Sequence, residues 1–240
     1  MLQIINLTKS YNKKTNAVDR LSLSIKPGEV FGFIGHNGAG KSTAIKCIVG
    51  ALNFEDGEIL IDGVSVKENP IYCKSITAYI PDNPDIYDYL TGIQYLNFVG
   101  DIYGVEASVR ESLITDYATR FEIINDLGNL ISTYSHGMKQ KLVLLSALIH
   151  KPKLLVLDEP FVGLDPLAAH NVKQIMRELC DSGSSIFFST HVLEVAEKLC
   201  DRVGIIKKGK LVAQGNMEEI VGDKSLESIF LEIAKEKVDE

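Results

Sequence analysis

One stretch constrains this chain more than any other: Glu29-Val30-Phe31-Gly32-Phe33-Ile34-Gly35-His36-Asn37-Gly38-Ala39-Gly40-Lys41-Ser42-Thr43. An apolar run that reads as a buried strand enters a glycine-rich turn, and Lys-Ser-Thr opens an apolar-periodic helix. Gly35 to Ser42 fits G-x-x-x-x-G-K-[ST] with a strand before it and a helix after it, the context in which that pattern makes a phosphate-binding loop. Glycines let successive N–H groups converge on phosphate oxygens, and the helix N-terminus adds a partial positive charge. Lys41 is then placed to reach β- and γ-phosphates as a point charge, and the Ser42 hydroxyl to ligate Mg²⁺. The stretch predicts a nucleoside-triphosphate site, with Gly35 through Thr43 as its binding segment.

The rest of the chain narrows the setting. Its 240 residues are enough for one large domain or two small ones, with a sizeable core. A formal net charge of −7 argues against a general nucleic-acid-binding surface. Cys47, Cys73, Cys180 and Cys200 are scattered without metal-ligand spacing, so free thiols in a reducing compartment are expected. The N-terminus shows no signal-peptide pattern, and no apolar run approaches the ~18 residues that span a bilayer. A cytosolic chain is expected, reaching any membrane only through a partner.

Periodicity lays out the order of elements. Leu2–Leu7 and Leu21–Ile25 read as strands, and Lys26-Pro27-Gly28 as the turn into the phosphate-loop strand. Tyr11 sits in a polar stretch between them, either a stacking aromatic or a surface residue. A helix is predicted from Lys41 to about Ala51 and strands at 57–63 and 75–80; Pro81 and Pro84 then impose an extended loop. From Leu90 to about His150 strand signals vanish and helical periodicity dominates, which predicts a helical insertion. Leu154-Leu155-Val156-Leu157-Asp158-Glu159 follows, a continuous apolar strand ending in paired carboxylates, as in a parallel sheet buried on both faces. A helix from Pro166, a strand at 185–189, a helix to Cys200, a hairpin about Gly209 and two closing amphipathic helices complete the chain. Glu29 and Asp62 belong to no motif and are expected on solvated strand or turn positions.

Ligands sit beyond the carboxyl ends of parallel strands, so Asp158 and Glu159 are expected to face the phosphate loop. Asp158 suits Mg²⁺, and Glu159 suits orienting an attacking water, because phosphoryl transfer needs positioning and charge stabilisation. With these two signals in order, the chain resembles the ATP-binding subunit of an ABC transporter from Tyr11 to the C-terminal helices. Tyr134-Ser135-His136-Gly137-Met138 stands where the family usually has the signature Leu-Ser-Gly-Gly-Gln, Gly163-Leu164-Asp165 resembles its D-loop, and His191 its switch histidine. The resemblance implies ATP and Mg²⁺ as cofactors, Tyr11 stacking on adenine, His191 contacting the γ-phosphate, and Asp165 in the nucleotide-binding set. It further implies that Ser135 and Gly137 cap the nucleotide of a second subunit in a homodimer, or a heterodimer, closed by ATP. A multi-spanning membrane permease is the expected further partner.

Four positions depart from the family pattern. His36 replaces a proline often found in the phosphate loop, and His136 and Met138 replace glycine and glutamine in the signature. Asp82 stands where the family usually has a glutamine that reaches Mg²⁺ and links to the membrane subunit. The expected fold is an α/β P-loop ATPase: a mainly parallel core with an N-terminal antiparallel β part (1–87 and 151–221), an inserted helical subdomain (88–150) and a C-terminal helix (222–240). The expected function is ATP hydrolysis powering transport, in the export- and drug-resistance-like branch. The alternatives are a non-transport ABC-type ATPase acting on nucleic acid or ribosomes, and an ATP-dependent binding switch. A small GTPase is disfavoured, because no Asn-Lys-x-Asp is present.

Overall fold

The computed structural model describes residues 1–12, 15–83 and 85–235; Pro84 of the expected loop and residues 236–240 of the expected C-terminal helix lie outside them. In chain order the elements are β1 (Leu2–Ser10), β2 (Asn16–Ile25), β3 (Val30–Ile34), α1 (Lys41–Ile48), β4 (Asp56–Ile61), β5 (Val64–Ser65), α2 (Pro70–Ser75), β6 (Thr77–Ile80), α3 (Gly92–Ile102), α4 (Ala107–Arg120), α5 (His136–Leu148), β7 (Leu154–Asp158), α6 (Pro166–Asp181), β8 (Ser185–Thr190), α7 (Leu193–Leu199), β9 (Arg202–Lys207), β10 (Lys210–Asn216), α8 (Met217–Val221) and α9 (Leu226–Lys235).

Six strands form the central sheet in the order β10-β9-β3-β8-β7-β6, parallel except for the β9–β10 hairpin. Four more form a purely antiparallel sheet, β2-β1-β4-β5. Because strand side chains alternate faces, the continuous apolar strands feed two cores at once. Leu155 and Leu157 of β7 pack with the helices of one face, whereas Leu154 and Val156 pack with α1 and the antiparallel sheet on the other. Helices α3 to α5 fill the stretch between β6 and β7. Arg110 of α4 locks this group: it is buried, and its guanidinium donates to the Asn97 and Val105 carbonyls and to Asp101.

The register places the chemistry. β3 lies between β8 and β9, with Ile34 level with Thr190, and Asp158 level with Ser189 on the next strand. The carboxyl ends of β3, β7 and β8 therefore open on one edge. Gly32 permits the layer above β3 to sit this close, since a Cβ there would fall 2.6 Å from the Cys200 sulfur.

Two details correct the sequence reading. Glu29 is not solvated: it is 7% exposed, accepts from the Lys26 N–H at 2.7 Å and pairs with Arg202 at 3.2 Å. Its carboxylate closes the Lys26-Pro27-Gly28 turn and meets a cation 173 residues away, a partner no local pattern specifies. Asp62 is exposed as expected, paired with Lys153 at 2.7 Å. The short α2 was also not anticipated, although Asn69 caps it through Tyr72 N–H and Pro70 opens it. All four cysteines are buried free thiols.

Candidate functional site

The phosphate loop leaves β3 at Ile34 and turns into α1 at Gly40, which holds φ +109°. A Cβ at Gly40 would lie 2.3 Å from the Ala17 carbonyl, and one at Gly35 would lie 2.7 Å from the Ile206 carbonyl. Both positions thus require glycine because the loop is pressed onto neighbouring backbone. Lys41 is 6% exposed; its ammonium donates to the Gly35 carbonyl at 2.6 Å, curling back under the loop. Ser42 is exposed at the first turn of α1.

Glu159 is the hub of the facing strand ends. Its backbone sits in the left-handed region at φ +51°, and its N–H donates to the Ser189 carbonyl at 3.2 Å. Its Oε1 lies 2.9 Å from His191 Nδ1 and 3.5 Å from Lys41 Nζ, and the His191 N–H donates to Oε2 at 3.3 Å. Asp158 is 3% exposed and accepts a short hydrogen bond from the Ser189 hydroxyl. Ser189 thus braces the Asp158 carboxylate and the Glu159 backbone. The sequence reading missed it, although its place beside the switch histidine at the end of an apolar strand is a usable signal.

One cleft of about 370 Å³ is lined by His36 to Gly38 and Gly40 to Thr43 of the phosphate loop together with Tyr11, Asp82, Asp158 and Glu159, and His191 borders it through Glu159. Tyr11 is 65% exposed beside the loop, with its hydroxyl 3.3 Å from Thr43 Oγ1 and the Lys9 ammonium 5.8 Å over its ring. The donor set suits Mg²⁺ in particular: one hydroxyl, Ser42, and the carboxylates of Asp158 and Asp82 border the cleft. No cluster of three or more His, Cys, Asp or Glu side chains able to cage a metal occurs among the described residues. In general Mg²⁺ is bound through only one or two carboxylates, with waters and substrate phosphates completing its shell.

The sequence profile of the ABC transporter family matches residues 18–162. The chain belongs to the ABC transporter family. It is 37% identical over 223 residues to the linearmycin resistance ATP-binding protein LnrL of Bacillus subtilis (strain 168), covering 92% of this chain and 70% of that protein. It is 33% identical over 241 residues to the ABC-type transporter ATP-binding protein EcsA of the same organism, covering 98% and 97%. A solved ATP-binding subunit of an ABC transporter matches with a TM-score of 0.94 at 33% identity, over 98% of this chain and all of that one. The ATP-binding cassette MJ0796, solved as a dimer with ADP and Pi, matches at TM-score 0.81 and 20% identity, a likeness of fold. Within the family this chain is an ATP-binding subunit and an ATPase.

The ABC signature and D-loop positions are brought to each other and not to the cleft. Ser135 caps α5 by accepting from the Met138 N–H at 3.2 Å and is exposed, with Gly137 half-buried behind it. Gly163, at φ +81°, lies against the His136 ring, where a Cβ would approach Cδ2 to 2.7 Å. Asp165 caps α6 through the Ala168 N–H at 2.8 Å and pairs with Lys141 of α5 at 3.0 Å. That N–H and the Lys141 ammonium hold its carboxyl below the usual range. Lys141 was not singled out in the sequence, since the pairing depends on how α5 and α6 pack. Signature and D-loop positions thus form one coupled, outward-facing unit in this ABC subunit.

Proposed function

We propose that this ABC subunit hydrolyses ATP to drive transport through a separate membrane-spanning subunit, from the cytoplasmic face. One observation carries the catalytic part: the Glu159 carboxylate lies between His191 and Lys41 at the mouth of the phosphate loop. Lys41 and the loop N–H groups hold the β- and γ-phosphates, and the Tyr11 ring stacks on adenine. Glu159 orients a water for in-line attack on the γ-phosphorus and takes its proton as the bond to the bridging oxygen breaks; His191 steadies the γ-phosphate oxygens. Ser42 and Asp158 would hold Mg²⁺, with Asp82 at its margin, and the ion would supply neutralisation of phosphate charge. The outward direction is favoured by the 37% identical relative named for linearmycin resistance.

Ser135 and Gly137 complete the site of a second copy, with Asp165 beside them at that interface. The exposure of Ser135, and the lining of this chain's own cleft by other residues, support that reading. The chain is divided accordingly: 1–87 and 151–221 form the ATPase core with its N-terminal β part, 88–150 the helical insertion, and 222–240 the C-terminal segment. The permease is received by the loop 81–89 together with α3. No helix among the described residues is long and apolar enough to cross a membrane.

Glu159→Gln tests the catalytic assignment. It preserves size and the neighbouring donors but removes the proton acceptor, so ATP binding stays within about three-fold while phosphate release falls roughly 100-fold or more. Phosphate release near the wild-type rate would remove Glu159 from this role.

A further inference from the structure

The phosphate loop is held from a side that catalysis does not use. His36, the loop's second residue, projects into solvent on every side but one, where its ring meets Phe230 of α9 at 4.5 Å and 52° between planes. Phe230 is itself 9% exposed and built into the core, so His36 rests on a fixed surface. A second contact joins the same helix to the loop's support. Lys207, the last residue of β9, donates to the Ile233 carbonyl of α9 at 2.6 Å. Its neighbour Ile206 presses on Gly35 through its carbonyl and on Gly40 through its Cδ1. The N-terminal end of α9 is tied down independently, because Leu226 is fully buried and its N–H donates to Glu197 of α7 at 2.9 Å.

We infer that α9 is a strap on the phosphate loop, with His36 and Phe230 as positioning residues that hold the loop in its nucleotide-binding conformation. The His36 carbonyl accepts from the Ala39 N–H at 3.1 Å, so the position of this residue sets the curvature of the cradle. A loop with glycines at 35, 38 and 40 has many other conformations to visit. Fixing one flank of it lowers the ordering cost of binding. Reciprocity follows: whatever the strap adds to nucleotide affinity, bound nucleotide adds to the stability of the strap. The strap touches neither Glu159 nor His191, so it acts on binding rather than on the chemical step.

The inference rests on nucleotide binding at this loop, and the test separates the two. Mg-ATP affinity is measured for the unmodified chain, His36→Ala, Phe230→Ala and the double variant. Each single substitution is expected to weaken binding about three- to ten-fold, with the double variant no more than about two-fold weaker than either, the coupling expected of a contacting pair. Steady-state hydrolysis by Phe230→Ala should show KM raised and kcat nearly unchanged, and Phe230→Tyr, which keeps the ring, should restore affinity. Where Phe230→Ala does not fold, hydrogen exchange on the unmodified chain decides. Mg-ADP, with the sample shown monomeric by light scattering, should slow exchange across residues 226–235. Unchanged affinity in the single variants, additive losses in the double, or exchange in α9 indifferent to Mg-ADP would overturn the strap. Loss of binding in the unmodified chain would instead overturn the nucleotide site itself.

Discussion

Glu159 occupies a backbone conformation that non-glycine residues avoid, at a cost on the order of 1–3 kcal/mol, and it is kept there by Ser189 and by His191. The turn after β7 therefore re-aims one carboxylate towards Lys41 while Asp158 stays in the strand, giving adjacent acids different work. His150 shows the opposite treatment of a titratable group. It follows α5, stacks on Tyr103 at 3.7 Å, and burial pushes its imidazole down from 6.5 to about 4. Between those values the unfolded chain binds the proton and the folded chain refuses it, so this contribution to stability is complete above pH 6.5 and is lost as pH falls towards 4. Urea unfolding of the wild type and His150→Phe at pH 7 and pH 5 should show the wild type losing about 1–2 kcal/mol more than the variant. Equal losses would contradict a buried neutral His150. At this scale the phosphate loop and Asp158-Glu159 were legible, because their chemistry is contiguous in sequence. Ser189, Lys141 and the burial of Glu29 were not, because each depends on which strand or helix lies alongside.

Elements were legible wherever one period ran long enough. β3, β7 and α3 to α5 stand close to where their patterns put them, whereas α2 is six residues long and announces itself only by its cap. The loop at 81–89 and α3 form the face proposed for the permease. Tyr87 and Tyr89 are 46% and 74% exposed, with their rings 5.8 Å apart, and Tyr87 also meets the edge of Phe98 at 5.7 Å. Tyr95 is instead half-buried against the core, and burial pushes its hydroxyl pKa up. Behind this aromatic group a cleft of about 300 Å³ opens between the loop, α3 and α5, with Asp85, Tyr103 and His150 on its walls. An exposed aromatic cluster beside a cleft suits a partner that buries both. Replacing Tyr87 and Tyr89 together by Ser should leave ATP binding within about two-fold and sharply reduce co-purification with the permease. Normal co-purification and transport would place the docking face elsewhere.

The molecule as a whole carries the two halves of each proposed site on different elements. The phosphate loop, Asp158 and Glu159 open at the strand ends, while Ser135 faces outward from the tip of α5, held to the D-loop position by the His136–Gly163 contact and the Lys141–Asp165 pair. The proposal of a site shared between two copies comes from the family resemblance alone, since no spacing within one chain points to a second copy. If ATP fills the gap between two copies, mass action requires that it favour their association. Blocking turnover lets that association accumulate, so the direct measurement is light scattering on Glu159→Gln with and without Mg-ATP. The expected result is a particle of 26.5 kDa without nucleotide and one of twice that mass with it. The same mass under both conditions would contradict a site completed across two copies.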